Sequence, residues 1–212
     1  MARPTLPRLA LTLSILLASA SAAASDNLFK SYAYGAPLAI FTDANGYYDC
    51  SADVGGVARC LDHVNFIGYA FTAALGFSGS KLTTVSLISA YNQALYAQAA
   101  TTLGKTFRLS ALSDTKSRLD VVQLEGASPN KQEFASKFAK YEADALNAGT
   151  LTYTFFEGVD RNAKFPNVTS LMAASPNNVR AAELMVTSAG GEPALLIRFS
   201  FPKLEASKGK AF

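Results

Sequence analysis

The sequence predicts an α+β protein, an antiparallel β-meander and sheet packed by two main helices and held by one disulfide. Three observations carry this expectation. Short β-branched and aromatic runs, bounded by Gly, Ser and Asn clusters, recur through residues 38–89, 107–126 and 150–201, the pattern of strands joined by tight turns. Two segments, about 90–103 and 129–148, instead show helical spacing between helix-start and helix-stop residues. No strand–helix–strand alternation runs along the chain, which argues against a doubly wound parallel sheet.

The first residues read as a leader. MARPTLPR carries Arg3 and Arg8 and no acid, LALTLSILLASA is apolar, and SAAAS is small, the three parts of a secretory signal peptide. The apolar run falls short of the roughly 20 residues that a membrane-spanning helix needs. Ala22 and Ala24 fit the cleavage pattern, so cleavage is expected after Ala24, with Ala22 as the alternative. No cysteine adjoins the site, which argues against a lipoprotein, and Arg3 and Arg8 are not adjacent, which argues against the twin-arginine route. The expected organisation is a signal peptide over 1–24 and a single exported domain over 25–212, with two sub-lobes, about 28–104 and 105–205, as a variant. The expected location is periplasmic or secreted.

Half of the residues are hydrophobic, 50%, so a core is available and disorder is excluded as a class. The formal charge of +3 falls to near +1 once Arg3 and Arg8 leave. That is no general basic footprint, and nucleic acid is not an expected partner. No later run is long and apolar enough to suggest a transmembrane segment in the mature chain.

Taken in order, LAIFT (38–42) reads as a strand, DANG (43–46) as a turn, YYDCS (47–51) as a second strand and VARCL (57–61) as a third. FIGYAFTAALGF (66–77) and KLTTVSLIS (81–89) read as longer strands joined at SGS. The first helix has Ser89 in front and Gly104 just past its end, with Tyr91, Ala94, Leu95 and Leu103 as its apolar face. FRLSAL (107–112) and RLDVVQLEG (118–126) read as strands. The second helix takes Ser128 as N-cap and Pro129 at its first position, where a missing N–H costs nothing. Phe134, Phe138, Tyr141 and Ala145 line one face, while Glu133/Lys137 and Lys140/Asp144 pair on the other. TLTYTFFEG (150–158) is a strand, NAKFPN a loop, and 179–201 a closing hairpin.

The rare residues concentrate in YYDCSADVGGVARCLDHV (47–64), which holds Cys50, Cys60 and His63. In an exported chain two cysteines read as one disulfide. A three-residue loop over Val54, Gly55 and Gly56, with Gly56 left-handed, pairs Asp53 with Val57 and places Cys50 opposite Cys60. Facing Cα atoms stand about 4.5–5.5 Å apart, within disulfide range. The closed loop of about ten residues contributes about 2–3 kcal/mol by chain entropy. Cys50, Cys60 and His63 offer zinc three ligands, with an aspartate as a possible fourth, but none of the paired C-x-x-C spacing is present. For calcium, DANGYYDCSAD puts Gly46 fourth where an EF-hand needs it sixth, with no glutamate twelfth. No metal and no cofactor are expected.

Catalytic patterns are missing from the chain. GFSGS breaks G-x-S-x-G at Ser80, His63 is the one imidazole, and five S-x-x-K matches lack the accompanying motifs. Only a carboxylate pair assembled in space leaves no trace in spacing. Phe and Tyr make up 11% of the chain and several cluster. Tyr47, Tyr48, Tyr153 and Phe155 are the candidate surface for a ligand or partner, against the alternative of plain core packing. The expectation is therefore a non-enzymatic exported binding domain of the bacterial envelope, taking a protein partner, in the manner of an inhibitor, or an envelope ligand. An envelope hydrolase using a carboxylate pair, or a carrier of small apolar ligands, is the alternative.

Overall fold

The computed structural model describes residues 26–188 and 191–207, so the expected leader lies outside the described residues. Strands β1 (Asn27–Phe29) and β2 (Tyr32–Ala33) form a small hairpin, and two 3-10 turns, Leu38–Ile40 and Asp43–Asn45, lead to β3 (Tyr48–Asp49) and a single helical turn, α1 (Ser51–Val54). A meander follows, β4 (Ala58–Phe66), β5 (Tyr69–Ser78) and β6 (Lys81–Ala90), then helix α2 (Gln93–Thr106). Next come β7 (Phe107–Ser113), β8 (Arg118–Asp120), α3 (Val121–Ala127) and α4 (Lys131–Asn147). A second meander is built from β9 (Thr150–Glu157), β10 (Ala181–Thr187) and β11 (Ala194–Ser200), with α5 (Val168–Ala174) in its first connection and α6 (Pro202–Ala206) after it. The α+β architecture is as expected.

Nine strands form one antiparallel sheet in the order β3-β4-β5-β6-β11-β10-β9-β7-β8. Around its centre the order reads the same from either side: each meander contributes its last strand, and β6 and β11 pair antiparallel through Val85↔Phe199 and Leu87↔Ile197. The expected pair of long hairpins, one closing each half, thus meets at the middle of the sheet. One face carries the main core, with Leu75, Val85, Leu87, Ile197, Leu184 and Tyr153 in adjacent strands buried together. Alternation places Ala74, Ser86, Arg198, Glu183 and Thr154 in a row across the opposite face.

Over the second half of the core face lie the two main helices. α2 buries Leu95, Ala99 and Leu103 at steps of four, and α4 packs Phe134, Phe138, Tyr141 and Ala145 as the spacing predicts. The pairs Glu133–Lys137 and Lys140–Asp144 form at 2.6 and 2.7 Å. Over the first half lies the N-terminal segment, whose Phe29 stacks on Phe199 at 5.2 Å between ring centroids and meets Phe66 edge-on at 5.4 Å. Arg180 fastens this segment: its guanidinium pairs with Glu157, donates to the Asn27 and Leu28 carbonyls, and lies near the Phe107 and Phe199 rings.

Several boundaries differ from expectation, each for a local reason. LAIFT turns instead of extending, because Ile40 N–H bonds back to the Pro37 carbonyl and only Pro37 bridges to Lys81. The run 66–77 is split by a two-residue turn at Ile67 and Gly68, both with positive φ, the conformation a type I′ hairpin demands. α2 starts three residues later than expected because Asn92, not Ser89, accepts the Leu95 N–H. It also runs through Gly104 to Thr106, leaving Tyr91 and Ala94 exposed. α4 is capped by Asn130, whose Oδ1 accepts from Glu133 N–H, so Ser128 and Pro129 precede the helix. Residues 121–127 are helical, not extended: Asp120 Oδ1 accepts from Gln123 N–H and Oδ2 from Val168 N–H, so one carboxylate serves α3 and α5 together.

Candidate functional site

The disulfide joins Cys50 and Cys60, with Cα atoms 5.8 Å apart, by a different backbone path from the one expected. Tyr48, not Cys50, faces Cys60, and Asp49 faces Arg59. The pairing shifts by two residues because Ser51–Val54 coil into the turn α1, and Gly55, not Gly56, takes the left-handed position that ends it, φ 73. Asp49 Oδ1 accepts from both the backbone N–H and the hydroxyl of Ser51, at 2.9 and 2.6 Å. Ser51 Oγ in turn accepts from Ala58 N–H at 3.0 Å. The corner is therefore closed three ways: by the covalent bond, by the serine relay and by an Arg59–Asp43 ion pair at 2.9 Å.

This rigid corner presents apolar side chains to solvent. Among the described residues, Ile40, Tyr48, Val54 and Val57 are exposed to between 41% and 56%, and the other large exposed apolar residues are Tyr91 and Leu146. Four of six thus fall within residues 40–57. Beside α1 a groove of about 250 Å³ runs onto the outer sheet face, lined by Val54, Val57, Ala74, Gly76, Ser86 and Arg198 among others. Its floor is kept low by Gly76, where a Cβ would stand 2.4 Å from Thr84 Oγ1. Arg198 reaches the groove with its charge already taken, since its Nε donates to Glu183 Oε2 at 2.6 Å.

An acid lies against the exposed Tyr48. Tyr48 hydroxyl donates to Asp62 Oδ1 at 3.0 Å, and Thr72 hydroxyl donates to the same oxygen at 2.7 Å. Bonding from Thr72 and then Tyr48 holds the Asp62 carboxyl below its ordinary range. The Ser51 hydroxyl and N–H do the same for Asp49. Charge-assisted hydrogen bonds favour the ionised form.

The four predicted surface aromatics do not come together. Tyr48 is exposed and Tyr47 half-buried against Phe41, with its hydroxyl 3.5 Å from that of Tyr32. Tyr153 and Phe155 sit in the core at 4% and 3% exposure, beneath the helices. Tyr153 hydroxyl donates to Glu142 of α4 and meets the Tyr96 hydroxyl of α2. Burial first, and then Glu142, drives its phenol far above the ordinary range. The strand alternation was legible, but which face α2 and α4 would cover was not. Val54 and Val57 escaped notice although they flank Gly55-Gly56, and two aliphatic residues beside a glycine turn are the signal that marks them.

The buried and partly buried glutamates are bonded to structural partners: Glu133 to Lys137, Glu142 to Tyr153, Glu157 to Arg180, Glu183 to Arg198, and Glu205 to Tyr34. Among the described residues no group of three or more His, Cys, Asp or Glu side chains is placed to hold a metal ion. No described helix is long and apolar enough to cross a membrane. Comparison with protein-family models, with curated proteins and with solved structures finds no match to this chain.

Proposed function

We propose that this chain is a non-enzymatic exported domain of the bacterial envelope that docks a protein partner through the disulfide corner. The observation that carries the reading is the exposure of Tyr48, Val54 and Val57 on a covalently closed, hydrogen-bonded corner, with both valines lining one groove. Apolar side chains scattered singly over a surface need no explanation, but a local concentration marks an interaction site. Rigidity adds to the argument, since a loop already held in its bound shape loses little entropy on association. Export is supported by the leader-like composition of residues 1–24 and by the disulfide, which persists in oxidising compartments.

The hydrolase alternative is disfavoured by the use of Glu142, Glu157, Glu183 and Glu205 in structural bonds. The carrier alternative is disfavoured because Phe, Leu and Tyr side chains fill the space between sheet and helices. The test is affinity capture from an envelope extract, with the wild-type protein and the Val54→Asp/Val57→Asp variant side by side. Both valines are exposed, so folding is expected to be unchanged, as checked by circular dichroism. A protein enriched by the wild type and lost with the variant is the expected result; equal capture by both, or none by either, overturns the proposal.

A further inference from the structure

We infer that the partner surface seated on the disulfide corner is cationic, a protein segment presenting Lys or Arg beside aliphatic side chains. This inference takes the docking role proposed above as given and specifies what docks. Over residues 40–62 four aspartates, Asp43, Asp49, Asp53 and Asp62, stand against one arginine, a net charge of −3. Arg59 is used by Asp43. Asp62 accepts from Tyr48 and Thr72, which order it without cancelling its charge, whereas Asp49, bonded to Ser51, also lies in the field of Arg59.

The acids are interleaved with the apolar contacts instead of lying apart from them. Asp53 precedes Val54 on α1 and Asp62 is bonded to the Tyr48 hydroxyl, while Asp49, next to Tyr48 on β3, turns to the other face opposite Arg59. A surface that covers Tyr48 and Val54 meets two of these carboxylates, Asp62 bonded to the Tyr48 hydroxyl and Asp53 near enough to act on it, inside the Debye length of about 8 Å at physiological salt. Arg198 in the adjoining groove does not offset them, because Glu183 neutralises it. Such a surface repels anionic lipid headgroups and nucleic acid. Charge complementarity selects a basic protein segment, with apolar anchors for the groove.

The test uses the isotope-labelled protein and two short peptides of equal length and leucine content, one built with lysine and one with glutamate. The lysine peptide is expected to shift amide resonances at residues 48–62 and on the groove strands β5 and β6. Its affinity should fall about fivefold in the Asp53→Asn/Asp62→Asn variant, as two weak surface charge pairs imply. Asparagine at position 62 keeps an acceptor for Tyr48 and Thr72. As a check independent of the variant's folding, wild-type binding should weaken steeply between about 0.01 M and about 1 M salt. If the glutamate peptide binds the same residues equally well, or salt has no effect, the cationic inference fails and the docking corner stands. If neither peptide shifts residues 48–62, both readings fail.

Discussion

The two meanders that meet at β6 and β11 bury their faces by different means. The second, β9–β11 with β7 beside it, is covered on its core face by α2 and α4, and on its outer face by α3 and α5, where Val122, Phe156, Val168 and Leu171 pack together. The first, β4–β6, is covered on its core face by the short β1–β2 hairpin and the turns after it, carrying Phe29 and Phe41, and on its outer face by the single turn α1 and the disulfide cluster of Cys50, Ala58, Cys60 and Ala74. Long helices bring many contacts along one apolar stripe. A short irregular cover has few, so it is fixed by bonds of higher individual strength: a disulfide, ion pairs and buried guanidinium contacts. The same thin cover leaves Tyr48, Val54 and Val57 in solvent, which is why the candidate surface falls on that half.

The largest effect is expected at Arg180, which immediately precedes β10 in the second meander but holds the cover of the first. Arg180→Ala leaves Glu157 without its cation, removes a donor from the Asn27 and Leu28 carbonyls and opens space beside Phe107 and Phe199. The pair is half-buried, and each group so deprived costs about 1–3 kcal/mol, for a total of about 3 kcal/mol. Urea unfolding should show a loss of that size, with protease cleavage appearing first within residues 26–47. A loss below about 1 kcal/mol, within what an exposed pair contributes, would mean that aromatic packing alone holds the N-terminal cover.

How far the sequence could foretell this asymmetry depends on the kind of contact. Strands β5, β6, β9, β10 and β11 and the α4 face were legible because a period of two or of 3.6 is written in consecutive residues. The disulfide was legible because only two cysteines exist. Its register was not, because Ser51, whose hydroxyl replaces a ladder bond to Ala58, reads in sequence as an ordinary strand or turn residue. α3 was hidden for a similar reason: Val121 and Val122 favour a strand by propensity. Their helix is decided by Asp120, which caps it and reaches forward to Val168, 48 residues away in sequence. The candidate surface was half legible, through Tyr47 and Tyr48, while Tyr153 and Phe155 needed knowledge of which sheet face the helices choose.

A smaller effect separates the halves covalently. Replacing Cys50 and Cys60 with Ser removes the staple of the first half's outer cover and should cost about 2–3 kcal/mol by loop entropy. Hydrogen exchange is expected to rise at residues 48–62 and to stay low across β9–β11, since local openings follow local contacts. If protection falls equally in both halves, the sheet opens as one unit and the distinction between its covers has no energetic meaning.

Ionisation gives the smallest contrast, with opposite signs at the two ends of the pH scale. In the second half, burial first and then Glu142 raises Tyr153, while burial raises Tyr96. A phenol held protonated in the fold contributes stability that is fully present below its unfolded value of about 10 and is lost as the pH rises through the higher folded value. In the first half, hydroxyl and N–H donors lower Asp49 and Asp62. Their contribution is present above the unfolded value of about 3.9 and is lost as the pH falls through the lower folded values. Both carboxylates are exposed, so the acid effect is the weaker and more readily screened by salt. Carboxyl carbon NMR should place both midpoints below the ordinary aspartate value, and the Ser51→Ala variant should return Asp49 towards it while leaving Asp62 in place. If Asp62 moves as well, the corner titrates as one coupled cluster, and its charge is not the sum of independently held aspartates.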